Sequence, residues 1–274
     1  MAMTPEQRMA LKKLLIYAAA VVVVAWVLTP IALITVSAFA VPDDYYNMDK
    51  VIPTRFTTQN VEDLLFVLKG WVSTLNSVLV ALITIAISFA LGLPAGYAIA
   101  RYAFPGRDAI KLLIIALRMF PVMTMAVPLA VLYIELGLSD TLLGVALAHT
   151  SMALPFVVLI TSSVFMSVPV AYEEAGMVFG LSRSEVFFRI TLPLALPGLA
   201  AAAIFTFVMS WNEVFIASIL TLVNRTLPAD ILVSAMAAPD PYKFAGGFIM
   251  VLPAMSFVFI ARKYLVTMWG ITLR

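Results

Sequence analysis

The sequence contains no cysteine and a single histidine, His149, among its 274 residues. A disulfide framework and a thiolate metal site are therefore excluded, and one imidazole cannot assemble a histidine metal cluster. Charge is also scarce, because Asp, Glu, Lys and Arg make up only 12% of the chain, about half of their share in soluble domains. The formal net charge of +2 is too small and too dispersed to indicate nucleic-acid binding.

Apolar residues are abundant instead and account for 63% of the chain. A chain with so few charges cannot cover itself with polar surface, so lipid must be its solvent. Six stretches are apolar over the roughly 20 residues that a helix needs to cross about 30 Å of hydrocarbon. These stretches are continuous rather than alternating, which favours helices over a β-barrel. The predicted spans are approximately 14–39, 74–100, 112–134, 141–166, 198–222 and 246–266.

The predicted fold class is all-α: a polytopic membrane protein with six transmembrane helices, forming a single domain over residues 1–274. The first stretch follows Arg8, Lys12 and Lys13, as the apolar region of a signal peptide follows its positive end. It is too long for such a region, and no small-residue cleavage site follows it convincingly. We therefore interpret it as a retained span.

Basic residues are unevenly distributed between the predicted loops. If the N-terminus is cytoplasmic, the inside segments are 1–13, 101–118, 167–197 and 262–274, and they hold twelve of the 17 Lys and Arg residues. An excess of Lys and Arg marks cytoplasmic loops. Both termini and the segment 167–197 are therefore expected to face the cytoplasm.

The segment 173–193, EEAGMVFGLSRSEVFFRITLP, interrupts the apolar runs with charge and helix-capping signals. Gly180 fits the left-handed position that ends a helix, and Ser182 and Glu185 have the spacing of a capping box. Leu181 and Val186 stand at the two positions of a hydrophobic staple. The segment therefore predicts a helix, a tight glycine turn and a second helix that starts at Arg183. That second helix is expected to be disturbed near Pro193, with Pro197 reinforcing the break.

The same segment carries a recognisable spacing. Glu174-Ala175-Gly176, then Gly180, then Ile190-x-Leu192-Pro193 resembles the "EAA" signature of permease subunits in bacterial and archaeal ATP-binding-cassette importers. Gly176 replaces the second alanine of that signature, and Phe179 stands where many relatives have aspartate. Neither change removes the glutamate or the turn.

Other stretches resemble the carbohydrate-importing, maltose-transporter type of these permeases. They are residues 96–107, Asn76-Ser77 and Trp211-Asn212-Glu213. The resemblance implies the type I importer permease fold, with a second permease subunit, two ATPase subunits and an extracytoplasmic solute-binding protein as partners in a cell (inner) membrane. It also implies that this chain is not an enzyme and binds no cofactor, and that ATP and Mg lie on the partner ATPases. The sequence agrees, because it lacks the ATP-binding pattern Gly-x-x-x-x-Gly-Lys-Ser/Thr.

By the same resemblance, the loop 167–197 would dock on an ATPase and couple ATP hydrolysis to movement of the spans. The resemblance leaves open whether Glu173 or Glu174 pairs with a basic residue of that partner. The residues implied in coupling are Glu173, Glu174, Ala175, Gly176, Gly180, Leu181, Ile190, Leu192 and Pro193.

Polar residues within the predicted spans are candidates for the solute pathway, because an ionisable group in hydrocarbon should face a wet cavity or the bundle interior. The candidates are Asn76, Trp211, Asn212 and Glu213. For Asn212 and Glu213, a structural hydrogen bond to Asn76 or Thr84 is an equally weighted alternative. We interpret His149 as structural.

Three alternatives remain at this stage. A permease for polyamines, phosphate or amino acids would carry the same loop. A secondary transporter would need charged relays in several spans and internal inverted repeats, neither of which is evident. A membrane enzyme would need a metal-ligand cluster or a nucleophile with its base, and the sequence suggests none.

Overall fold

The computed structural model describes residues 5–119, 121–234 and 238–268, and within these ranges the regular structure is helical. Among the described residues, one isolated antiparallel β-bridge joins Ala40 to Phe56. The helices are α1 (Pro5–Ala38), α2 (Pro42–Tyr45), α3 (Gln59–Glu62), α4 (Gly70–Arg101), α5 (Arg107–Leu117), α6 (Val122–Glu135), α7 (Leu142–Ser167), α8 (Val170–Val178), α9 (Arg183–Val186), α10 (Leu192–Trp211), α11 (Phe215–Leu220), α12 (Leu227–Ser234) and α13 (Asp240–Met268), with π-helical turns at Asp63–Val67 and Phe187–Thr191.

Four helical segments in the described ranges are long and apolar enough to cross a membrane: Leu11–Ala38, Gly70–Arg101, Leu142–Ser167 and Arg183–Trp211. The predicted span 246–266 falls within α13. A count of six spans stays a prediction. So does the cytoplasmic location of the termini, because residues 1–4 and 269–274 lie outside the described ranges.

Two predicted spans are divided rather than continuous. The stretch 112–134 is split between α5 and α6, where Pro121 adopts an extended conformation with φ −64° and ψ 124°. The stretch 198–222 is split between α10 and α11, where the Glu213 carboxylate accepts hydrogen bonds from the backbone N–H of Ile216 and Ala217. In the second case a side chain supplies the acceptors that a continuing helix would provide, so hydropathy alone cannot reveal the division.

The chain divides into two compact units. One comprises Met1–Leu68 and Ala237–Ile249, and the other comprises Lys69–Met236 and Met250–Arg274. In the first, the buried carboxylate of Asp44 accepts hydrogen bonds from the backbone N–H of Thr54 and Arg55 and pairs with Lys50. These bonds, the Lys50 contact first, hold the pKa of Asp44 well below its usual value. The loop after α1 is thereby closed on itself.

The second unit is built on the packing of α4 against α7. Gly92 and Gly96 lie one turn apart on α4, and a Cβ at Gly92 would lie 2.6 Å from Cγ1 of Val157. A Cβ at Gly96 would lie 2.9 Å from the backbone nitrogen of Ser162 and would collide with Oγ1 of Thr161. Small residues four apart allow close helix approach in membranes. The hydroxyl of Thr161 donates to the carbonyl of Gly92 across this contact, at 3.2 Å.

We expect Gly96→Ala to destabilise the protein strongly, because the obstructing Ser162 nitrogen belongs to the backbone and cannot move aside. The matched control is Gly176→Ala in α8, where the added Cβ would meet Cδ1 of Ile190, the end of a flexible side chain, at 2.5 Å. There, a helix-propensity gain of about 0.5–1 kcal/mol offsets the crowding. Thermal melting of the purified complex in detergent checks both. Equal losses for the two variants would contradict the close-packing account.

Candidate functional site

The predicted glycine turn is present at residues 176–181. Gly180 has φ +90°, its N–H donates to the carbonyl of Met177 at 3.0 Å, and the N–H of Leu181 donates to the carbonyl of Gly176 at 3.1 Å. This pair of bonds is the Schellman motif, which satisfies carbonyls at the end of α8. The prediction of a left-handed glycine at this position is confirmed.

The second helix begins with the predicted capping box. The Ser182 hydroxyl accepts from the backbone N–H of Glu185 at 3.4 Å, and the Glu185 carboxylate accepts from the backbone N–H of Ser182 at 3.0 Å. The Glu185 carboxylate thus accepts from the Ser182 backbone N–H and also, at 2.8 Å, from the Ser182 hydroxyl, and these two bonds hold the pKa of the Glu185 carboxyl below its usual value. The two caps together fix a sharp reversal between α8 and α9.

The second helix starts at Arg183 and is disturbed just before Pro193, as predicted, but the expected break at Pro193 and Pro197 is wrong. The chain is helical from Arg183 to Trp211, Pro193 lies in the first turn of α10, and Pro197 lies inside it. The disturbance is the π-helical turn at residues 187–191, where the N–H of Leu192 donates to the carbonyl of Phe187. This wider turn shifts the hydrogen-bond register just before Pro193, so the helix accommodates a residue that has no N–H to donate.

Glu173 is buried, with 5% of its surface exposed. Its carboxylate accepts hydrogen bonds from the Tyr97 hydroxyl at 2.9 Å, from Nε of Arg101 at 2.8 Å and from the Thr191 hydroxyl at 2.9 Å. Nη2 of Arg101 also donates to the carbonyl of Val168 at 2.8 Å. This Glu173 network ties α8 to the end of α4 and to the π-helical turn.

The tip of the reversal is exposed. Val178 and Phe179 have 84% and 87% of their surface exposed, and Glu174 is also exposed. A cavity of about 240 Å³ beside the tip is lined by both glutamates and by Arg183, among others. Of the two glutamates that the sequence could not distinguish, Glu173 is engaged within the chain and Glu174 is open to a partner.

The polar residues of the predicted fifth span are held within the chain. Glu213 lies 3.1 Å from Nε2 of His149, whose Nδ1 lies 2.8 Å from the Ser210 hydroxyl. His149 is fully buried. Trp211 is also fully buried and donates its indole N–H to the carbonyl of Met250 at 3.0 Å.

For Glu213 the structural alternative is confirmed, since it contacts His149 of α7, but the suggested bonds from Asn212 and Glu213 to Asn76 or Thr84 are wrong. Asn76 is buried and donates to the carbonyl of Arg225, and Thr84 donates to the carbonyl of Val80. Asn212 bonds to its own helix, at the carbonyl of Val208. Of the four pathway candidates, Asn212 is the one with an exposed side chain.

Sequence reasoning missed Asp140, which has φ +57° in the loop between α6 and α7. Its Oδ1 accepts hydrogen bonds from the backbone N–H of Leu222, Val223 and Asn224 at 2.8–2.9 Å. Burial acts to raise the pKa of the Asp140 carboxyl, but the three N–H groups together bring it below its usual value. No local signal could reveal this contact, because its partners lie 82–84 residues away along the chain.

Comparison with known proteins identifies the family. Residues 91–267 match the family model described as "Binding-protein-dependent transport system inner membrane component". The chain is 29% identical over 223 residues to the trehalose transport system permease protein SugB of Mycobacterium tuberculosis, covering 79% of this chain and 81% of that protein. It is 32% identical over 217 residues to the osmoprotective compounds uptake permease protein GgtD of Synechocystis, covering 77% and 73%.

The fold is shared with a solved bacterial transporter that imports the acidic polysaccharide alginate. The TM-score is 0.76 at 17% identity, over 96% of this chain and 99% of that one. The structural match extends over nearly the whole chain, whereas the family match covers residues 91–267. This chain thus belongs to the binding-protein-dependent inner membrane components and is a non-enzymatic permease subunit of an ATP-binding-cassette importer.

Proposed function

We propose that this permease forms half of the pathway for a sugar or sugar derivative and that the reversal at residues 170–191 couples it to a cytoplasmic ATPase. The observation that carries the proposal is the construction of that reversal. It is anchored inside the chain by the Glu173 network and exposes an apolar tip at Val178 and Phe179. A rigid anchor and an exposed tip are what a lever between two proteins requires.

The family and the sequence support the proposed partner set. A binding-protein-dependent importer needs an external solute-binding protein, and this sequence has no nucleotide-binding pattern of its own. ATP and Mg therefore belong to two ATPase subunits, and a second permease subunit supplies the other half of the pathway. The Lys and Arg bias supports a cytoplasmic location for the reversal and for both termini.

The sugar class is supported by sequence relatives rather than by the fold. The Mycobacterium tuberculosis relative is named for trehalose transport and is similar over most of both chains. Permeases for polyamines, phosphate or amino acids remain the competing class, because the coupling loop is common to all of them.

The test is purification of the assembled complex through a tag on this chain, followed by ATPase assays in proteoliposomes with the co-purified binding protein. We expect a sugar such as trehalose to stimulate ATP hydrolysis, and spermidine, phosphate and amino acids to have no effect. Stimulation by one of those other solutes alone would overturn the sugar assignment. Solute uptake by this chain by itself, without ATP, would overturn the importer assignment and favour a secondary transporter.

A further inference from the structure

The division between α5 and α6 lies within the predicted third span, 112–134. The six residues of α5 in that span, 112–117, extend about 9 Å at about 1.5 Å per residue, roughly a third of the 30 Å hydrocarbon thickness. Ile114 and Leu117 of α5 line a cavity together with Leu154 of α7. Tyr133 of α6 instead packs with Val145, near the other end of α7. The division therefore faces the middle of α7.

Arg118 stands at this division, directly after α5. The central carbon of its guanidinium lies 3.1 Å from the centre of the Phe156 ring on α7. The Phe156 ring in turn packs against Phe205 of α10, with ring centres 4.7 Å apart. The Arg118 guanidinium is therefore directed toward the helix bundle and lies over a surface formed by α7 and α10.

This arginine is exposed, and within the described ranges its side chain has no ion pair or hydrogen bond. The charge count assigned Arg118 to the end of the inside segment 101–118, but this residue also falls within the predicted span 112–134. An unpaired cation within a span is expensive, and such groups mark solute and ion pathways. Stacking on Phe156 occupies only the flat face of the guanidinium. Its N–H donors point outward in the plane of the group, where they match the two oxygens of a carboxylate.

Asn212 extends the same surface along α10. It follows Phe205 by seven residues, two helical turns, so both lie on one face of the chain there. Its amide N–H donates to Val208 at 3.0 Å, and within the described ranges its amide oxygen has no partner. We call Arg118, Phe156, Phe205 and Asn212 the Arg118 strip.

We propose that the Arg118 strip contacts the solute in the pathway and that Arg118 binds an acidic group, a carboxylate or sulfonate, on a sugar-derived solute. This inference rests on the proposed import function and narrows its substrate class. The guanidinium pairs with the acid, the phenylalanine rings face the C–H groups of a sugar ring, and the Asn212 amide oxygen accepts from a hydroxyl. A cationic solute such as a polyamine would be repelled by the same unpaired charge.

The first test uses the absence of cysteine, because a single introduced cysteine is then the only thiol on this chain. Phe205→Cys and Asn212→Cys are placed in the complete transporter in proteoliposomes and treated with membrane-impermeant methanethiosulfonate reagents. The control is Leu112→Cys. Leu112 is 68% exposed, and it lies on the face of α5 opposite Ile110, which lines the same cavity as Ile114 and Leu117. We expect the two strip cysteines to react at least tenfold faster than the control. Equal rates would overturn the proposal.

Charge selectivity gives the second readout. At Phe205→Cys, the negatively charged sulfonate reagent should react faster than the positively charged trimethylammonium reagent. Adding Arg118→Gln should lower the ratio of these two reaction rates about tenfold. Adding Arg118→Lys should lower it much less. An unchanged ratio in the glutamine variant would show that Arg118 does not act on the pathway.

The third readout is uptake of a glucuronate-containing disaccharide and of its neutral glucose-containing counterpart. We expect Arg118→Gln to lower the ratio of acidic to neutral uptake at least tenfold. If the wild-type transporter imports only the neutral sugar, the acidic-solute inference fails while the importer function stands. If neither sugar is imported with ATP and spermidine, phosphate or an amino acid is, the proposed sugar import fails, and the thiol reactions still decide the location of Arg118.

Discussion

Glu173→Gln will destabilise the permease and abolish solute-stimulated ATP hydrolysis, although Glu173 itself does not face the partner. The substitution leaves the Arg101 guanidinium buried without its counter-charge, since the two side chains are only 8% and 6% exposed. Removing one member of a buried ion pair costs about 3–5 kcal/mol. Helix α8 would lose its attachment to α4 and, in its proposed coupling role, would transmit movement poorly. Thermal melting and ATPase rates of the reconstituted complex measure the two effects.

Glu174→Gln is the matched control for this result. Glu174 is the next residue of α8, is exposed and within the described ranges has no bonded partner. We expect the Glu174→Gln variant to melt at the wild-type temperature and to lose only its ATPase stimulation, because the proposed partner of Glu174 lies on another chain. The double variant Glu173→Leu with Arg101→Met should recover much of the stability, since an apolar pair can replace a buried ion pair. A wild-type melting temperature for Glu173→Gln would refute the anchoring role.

Gly180→Pro, in correctly inserted protein, will abolish uptake and ATPase stimulation together. Proline cannot adopt the φ of +90° found at Gly180, and it lacks the N–H that donates to the carbonyl of Met177. Gly180→Ala should have a smaller effect, a backbone strain of about 1–2 kcal/mol. That cost is purely conformational, because an added Cβ would meet nothing within 4 Å. Uptake and ATPase rates in proteoliposomes check both variants.

Gly137→Ala separates backbone strain from coupling. Gly137 also has a positive φ, +67°, and an added Cβ there also meets nothing within 4 Å. It lies in the loop between α6 and α7, outside the reversal. We expect a stability loss similar to that of Gly180→Ala, with ATPase stimulation retained. If Gly137→Ala and Gly180→Ala reduced stimulation equally, or if Gly180→Pro transported normally, the reversal would not be the coupling element.

The helical, membrane-embedded character of the chain and the geometry of the reversal were predictable because they depend on near neighbours in sequence. The Gly180 turn and the Ser182 capping box each join residues three to five positions apart. Such contacts form from the local backbone and side chains, so residue type and spacing are sufficient to predict them. The EAA spacing then indicated the family, which the comparisons confirm.

The divisions within two spans were not predictable from hydropathy, because the stretches on both sides of each division are apolar. The π-helical turn before Pro193 was likewise hidden, since the proline suggested a break and the chain instead shifted its hydrogen-bond register. The local causes differ: an extended Pro121, the Glu213 carboxylate bonded to backbone N–H groups, and a π-helical turn before Pro193. A residue's propensity for one conformation is weak against its tertiary context.

By itself, the sequence determined that this is an all-helical membrane protein with a glycine-turned reversal between two helices, because composition, periodicity and capping act over a few residues. Only the tertiary structure decided which of two adjacent glutamates is buried. Glu173 meets Arg101 across 72 residues and Tyr97 across 76, and Arg118 meets Phe156 on another helix. Such distant groups come together only when α4, α5, α7 and α8 pack, so their pairing is a property of the folded chain.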